Sequence, residues 1–357
     1  MRAPRTTVAL LAAVSAAVSL AGCGAKVSES PAEEKAASGH YPVTIENCGV
    51  KTTYDKAPQR VVTNDVGIAE IMFALGLEDH MAGYVAPDYT QDRETVPWAD
   101  GYKKVKWLSK KAIAKEIALD ARADLVFAGW NYGFGEGSGV TPDSLKKLGI
   151  GSYVLSESCR NGTTGTSRGV MPPLEALYTD LETLGKIFDV EDRAKKLTDE
   201  FRKQVAEAQA KVPGDGDAGG KAGGKADGKA GGKRPTVFLY DDGQDKPFTA
   251  GAYAGAHDII TKAGGDNIAK DLKDTWVTVG WETVVDRDPD VIVINNYGSV
   301  TAEQKKEFLK SYPPLANVSA VKNDRIFVLD YVDLVESPRN PAAIAALAGY
   351  LKGVRSS

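Results

Sequence analysis

Apolar residues recur at steps of three and four along Leu174, Leu177, Leu181, Leu184 and Phe188, which is the period of one helical face. The acidic stretch from Asp189 to Asp192 interrupts it. The same spacing then resumes at Ala194, Leu197, Phe201, Val205 and Ala208 with charges between. The pattern predicts helices over 174–188 and 192–211, the second straight and long. On either side lie short, nearly unbroken apolar runs: 60–63, 125–128, 152–155, 236–240, 291–294 and 325–329. Runs of this length, separated by helical patterns, predict buried parallel strands.

Two of these runs share a preface. Glu116, Asp120 and Asp124 lead into 125–128, and Glu282, Asp286 and Asp290 lead into 291–294 at the same spacing. The chain therefore reads as an α/β protein of two Rossmann-like lobes, each with a mainly parallel sheet, joined by a long rigid inter-lobe helix. The predicted boundaries are 41–173 for the first lobe, 174–212 for the helical segment and 235–357 for the second lobe. Between them, 213–234 is built from Gly, Ala, Lys and Asp and is expected to be a disordered linker.

The N-terminus has a different character. Arg2 and Arg5 precede an apolar run over 8–20 that is too short to span a bilayer comfortably and fits a secretory signal over 1–22. It ends in Leu20-Ala21-Gly22-Cys23, which resembles the bacterial lipobox and implies a lipid on Cys23. Residues 23–40 are small, polar and charged, a flexible tether. Export leaves Cys48 and Cys159 as an even pair in an oxidising compartment, so a disulfide between them is expected. A hydrophobic fraction of 43%, a charged fraction of 26% and a net charge of −4 describe a soluble globular chain with no feature calling for nucleic acid.

Candidate chemistry gathers at the ends of the predicted strands, where open α/β sheets place their ligands. Those ends read Trp130-Asn131-Tyr132, Tyr240-Asp241-Asp242, Asn295-Asn296-Tyr297 and Asp330-Tyr331. Trp130, Asn131, Tyr132, Tyr240, Asn296, Tyr297 and Tyr331 are thus the candidate lining of one cleft, aromatic area beside polar anchors. Arg160, Arg168 and Arg339 stand in loops rich in Gly, Ser and Pro, where they suit an anionic ligand or a surface ion pair. The three histidines, His40, His80 and His257, are scattered, and no metal site is expected. No GxSxG, HExxH or phosphate-binding glycine pattern occurs, and the glycines from Gly133 to Gly139 have the wrong spacing. A binding protein is expected rather than an enzyme.

Several stretches, in order, resemble the periplasmic binding proteins of the iron-siderophore and cobalamin type. They are Pro58-Gln59-Arg60, Ala69-Glu70-Ile71-Met72-Phe73-Ala74-Leu75-Gly76, the Glu116 and Glu282 segments, Gly264-Gly265-Asp266-Asn267-Ile268 and Val321 onward to Val328. Glu157-Ser158-Cys159-Arg160 is similar to an actinobacterial branch. The resemblance runs from about Tyr41 to the end. It implies a monomeric lipoprotein that captures a small molecule, a ferric siderophore first and cobalamin or haem as alternatives. No cofactor is implied apart from the lipid on Cys23. It further implies delivery to an ABC permease and its ATPase, with an acidic residue on each lobe meeting the permease. Glu70 and Asp258 match those positions. The apolar neighbours Ile68, Ile71, Met72 and Leu75 suggest that Glu70 points to solvent. The remaining alternative is a cell-surface enzyme acting on a siderophore.

Overall fold

Short strands buried on both faces build the centre of both sheets of the computed structural model, which describes residues 39–87, 92–131, 133–160, 171–212 and 233–355. An antiparallel hairpin comes first: β1 (Val43–Asn47) and β2 (Val50–Tyr54). Its turn residues Cys48 and Gly49 both have positive φ, 48° and 77°, as a tight two-residue hairpin demands. The first sheet follows, from β3 (Val61–Asn64), β4 (Met81–Val85), β5 (Trp107–Ser109), β6 (Leu125–Trp130), β7 (Gly133–Phe134) and β8 (Gly151–Val154). All its pairings are parallel, in the order β5-β4-β3-β6, with β7 and β8 both on β6. Helices α1 (Val66–Ala74), α2 (Ala99–Lys104), α3 (Lys115–Asp120) and α4 (Pro142–Lys146) connect the strands.

Two long helices, α5 (Pro173–Ile187) and α6 (Glu191–Ala210), come next. The second sheet is built from β9 (Thr236–Tyr240), β11 (Asp266–Asn267), β13 (Val291–Asn296) and β14 (Ile326–Asp330), parallel in the order β11-β9-β13-β14. A separate antiparallel pair joins β10 (Phe248–Ala250) to β12 (Trp276–Thr278). The second lobe's helices are α7 (Gly255–Lys262), α8 (Trp281–Arg287), α9 (Ala302–Ser311), α10 (Ser319–Lys322), α11 (Tyr331–Leu334) and α12 (Asn340–Arg355). The predicted strands are present to within one or two residues. The predicted linker lies outside the described residues up to position 232, as do the signal segment and Cys23.

Strand parity decides how the core divides. On β6, Leu125 and Phe127 face one way and Val126 and Ala128 the other; on β13, Val291 and Val293 oppose Ile292 and Ile294. The first set of each pair belongs to one apolar cluster, which also takes in Leu177 and Leu181 of α5, Phe201 and Val205 of α6 and Leu347 of α12. One core therefore runs from sheet to sheet through the bridging helices. Twenty residues of α6 span roughly 30 Å. At its start Arg193 donates from Nη1 to Leu75 O at the end of α1 (2.6 Å). Just past its end Val212 packs on Gly264, where a Cβ would come within 2.3 Å of Val212. A bridge anchored in both lobes by a continuous core resists hinge bending.

The duplicated acids do the same work twice. Asp124 accepts from the backbone of Gln59 and Arg60 (2.7 and 2.9 Å), tying the start of β6 to the start of β3. Asp290 accepts from Thr236 N and Oγ1 (2.8 and 3.0 Å), tying β13 to β9. The Cys48–Cys159 disulfide is present, Cα atoms 5.3 Å apart across 111 residues, and fastens the hairpin turn to the first lobe.

Candidate ligand-binding cleft

Both parallel sheets offer their carboxyl ends to one cavity of about 630 Å³. Asn64 ends β3 and Asp65 follows it, Lys110 and Lys111 follow β5, Asn131 follows β6 and Gly133 opens β7. From the second lobe come Asp241 after β9, Asn295 and Tyr297 at the end of β13, and Tyr331 after β14. Phe248 and Trp276, ring centroids 5.9 Å apart, extend the wall from the β10–β12 pair. Tyr297 and Tyr331 pack at 4.6 Å. Two lining residues, Asp65 (φ 95°) and Asn131 (φ 67°), carry left-handed backbone that non-glycine residues seldom adopt, a feature common at binding sites.

Two buried carboxylates stand at the mouths of β3 and β9. Asp65 accepts from Gly67 N (3.3 Å), capping α1, and from the Tyr331 hydroxyl of the other lobe (2.8 Å). Burial raises its pKa, opposed by those bonds. Asp241 is also pushed up by burial, to about 6, opposed by the Lys305 ammonium and by the bond from Asn295 Nδ2 (2.6 Å). Lys305, itself buried, donates to Asn295 O and Tyr297 O (both 2.8 Å) and so fixes the backbone at the end of β13.

The predicted site residues part company here. Asn131, Tyr297 and Tyr331 line the cavity, whereas Tyr132 and Arg168 lie outside the described residues. Tyr240 does not reach the cavity. It shares β9 parity with Phe238 and is buried against Trp281 and Phe308 in the outer core of the second lobe. Trp130 packs on Phe134 with the Arg160 guanidinium 3.7 Å above its ring, beside the cavity lining rather than in it. Asn296 donates to Asp330 (2.8 Å), and it is the preceding Asn295 that lines the cleft. Asn64 and Asp65 were missed although the strand they end was predicted at 60–63, because they carry no aromatic residue; Lys110, Lys111 and Trp276 were missed because their strands are only three residues long. His40 Nδ1 lies 3.3 Å from Asp189 and 3.6 Å from Glu191, with Nε2 bonded to Lys186 O, in a contact separate from the cavity.

Three charged residues need correction. Glu70 does not point to solvent. Helix α1 is buried on all sides, and Glu70 is closed in a bidentate ion pair with Arg339 and accepts from Tyr102. Arg339 is consequently no ligand anchor; it also donates to Asp92 O (2.6 Å) and ties α1 to the start of α12. A Cβ on Gly67 would come within 2.5 Å of Glu336 O, so α1 presses directly on the chain leading to Arg339. Asp258 turns inward to accept from Leu174 N (3.1 Å) at the start of α5. The exposed acids at matching places are instead Glu116 and Glu282, each in the first turn of the helix before a central strand.

Comparison with known proteins accords with this geometry. The profile of the family described as periplasmic binding protein matches residues 61–332. The chain is 24% identical over 337 residues, 93% of each chain, to an uncharacterized ABC transporter substrate-binding lipoprotein, YvrC, of Bacillus subtilis. It is 24% identical over 330 residues, 90% of each, to the petrobactin-binding protein YclQ of the same organism. A periplasmic binding protein from Veillonella parvula has a similar solved structure, with TM-score 0.68 and 26% identity over 87% of this chain and 97% of that one. Among the described residues no helix is long and apolar enough to cross a membrane. The chain belongs to the periplasmic binding protein family, whose members serve ABC importers as solute-binding subunits.

Proposed function

We propose that this chain captures a ferric siderophore in the inter-lobe cleft and hands it to an ABC permease, held at the membrane by lipid on Cys23. The cavity lined by strand ends of both lobes carries the reading. Its volume of about 630 Å³ lies within the usual range of small-ligand sites, about 300–1,000 Å³. It suits a compact iron chelate better than the larger corrinoid of cobalamin. Aromatic walls supply stiff contact area, and the rim lysines Lys110 and Lys111 attract anionic chelates. Haem would want an axial ligand; no histidine or methionine lines the cavity among the described residues, and of its two tyrosines Tyr331 already donates to Asp65, so Tyr297 alone would have to serve. Trp276 makes the test direct: its fluorescence should be quenched by a ferric hydroxamate or catecholate at lower concentration than by haem or cobalamin. Tighter binding of either macrocycle would sink the assignment.

Delivery needs an acidic contact on each lobe, as the family resemblance implies. Glu116 and Glu282 meet that need, since both are exposed and sit at equivalent places in the duplicated frame. Charge reversal to Lys at both should lower uptake in cells by about tenfold or more through lost steering and docking, with ligand affinity in solution unchanged. Normal uptake by that double variant would refute the docking role.

A further inference from the structure

The floor of the cleft in the second lobe is short of hydrogen-bond donors. Asn295 is 1% exposed and lines the cavity. Its Nδ2 donates to Asp241 Oδ1, while its own Oδ1 has no partner among the described residues. The amide cannot be turned over, because that would set its oxygen against the carboxylate. Among the described residues the Asp241 carboxylate, on a residue 6% exposed, accepts from Asn295 alone. Lys305 stands behind the pair, but its ammonium is bonded to two backbone carbonyls. A buried acceptor without a donor is unfavourable, and a bound molecule that donates to it relieves that cost. Two oxygens are too few for a bare metal ion, which wants six or more such ligands if hard, and both oxygens of Asp65 are already engaged. Phe248, whose carbonyl accepts from Asp241 N (3.0 Å), and Trp276 stacked on it add aromatic lining beside the pair, and aromatic rings attract cations.

We infer that Asp241 and Asn295 form a subsite for a protonated primary amine on the ligand. The inference rests on the siderophore reading and narrows it to chelates that carry an ammonium arm. An ammonium brings three donors and a positive charge to two acceptors and a carboxylate.

The test uses the intact folded protein and two probes: a linear ferric tris-hydroxamate ending in a primary amine, and the same chelate with that amine acetylated. Titration by tryptophan quenching should show the amine form binding about tenfold tighter or more, about 1.4 kcal/mol. In Asp241→Asn and, independently, Asn295→Ala, that ratio should fall toward one, with circular dichroism confirming the fold. Equal affinity for the two probes in the unaltered protein overturns the subsite and leaves the siderophore reading standing. A ratio that survives both substitutions also overturns it. If neither probe binds, the subsite falls, and a ferric catecholate titrated alongside decides the siderophore reading: no binding of it either overturns that reading too.

Discussion

Asp65 and Asp241 occupy the same place in their respective lobes, one residue past the first parallel strand, buried, and on the wall of the same cavity. Their surroundings differ. Asp65 is satisfied by the protein: it caps α1 through Gly67 and takes the hydroxyl of Tyr331 across the cleft. The Asp241 carboxylate accepts a hydrogen bond from Asn295 alone among the described residues, with the Lys305 ammonium acting on it as a charge. One acid serves as a latch between lobes, and the other keeps its acceptor capacity for what enters. Equal topology thus fixes where a carboxylate stands and leaves its role to its donors, and a lone acceptor at a cleft mouth is the more informative of the two.

The comparison depends on the lobes holding these mouths opposite one another, so the largest effect should come from releasing that frame. The side chains of Arg339 and Glu70 are 9% and 0% exposed, and they join the first lobe to the start of α12. Arg339→Ala leaves the Glu70 carboxylate buried with Tyr102 alone. Removing one partner of such a pair costs about 3–5 kcal/mol, which urea denaturation should show as a lower midpoint. Replacing both with Met should restore most of the loss, since the pair's net worth against apolar packing is small. A loss under about 1 kcal/mol for Arg339→Ala would mean that the bridging helices hold the lobes unaided.

Periodicity made much of this frame legible. The runs at 125–128 and 291–294 became β6 and β13, and the spacing of Leu174 through Ala208 became α5 and α6. The even cysteine pair is bonded. What pattern could not supply was the far side of an element. Ile68, Ile71, Met72 and Leu75 do define a face, but α1 has a second covered face, because α2 and the chain before α12 close over it. Glu70 therefore looked exposed from its own helix and is enclosed by others. Asp258 misled in the same way, through α5. Tyr240 was a different error: counting back from Leu239 along β9 places it with Phe238, in the core. The same count could have selected Asn295 over Asn296. Lys110, Lys111 and Trp276 follow or lie on three-residue strands, too short to carry a periodic signal.

Protonation sharpens the comparison by a smaller amount. Burial raises the Asp241 pKa from an ordinary carboxyl value to about 6 in the folded chain. An acid whose pKa rises on folding is held more tightly as the neutral form, so its charge costs stability above that pKa. The cost is fully present above about pH 6 and vanishes below the unfolded value near 4. A shift of about two units is worth at most about 3 kcal/mol. Asp241→Asn keeps an oxygen for Asn295 and removes the charge, so the protein without ligand should gain roughly 1–3 kcal/mol at pH 8 and almost nothing at pH 4. The same substitution at Asp65 should gain less at pH 8, because an amide has one oxygen for two donors, Gly67 and Tyr331, and a lost bond to a charged group forfeits about 1.5–3 kcal/mol. Urea denaturation from pH 4 to pH 8 measures both. Equal gains at the two positions would erase the distinction between latch and receptor, whereas a gain at Asp241 alone would mean that the cleft keeps a destabilising charge because its ligand needs it.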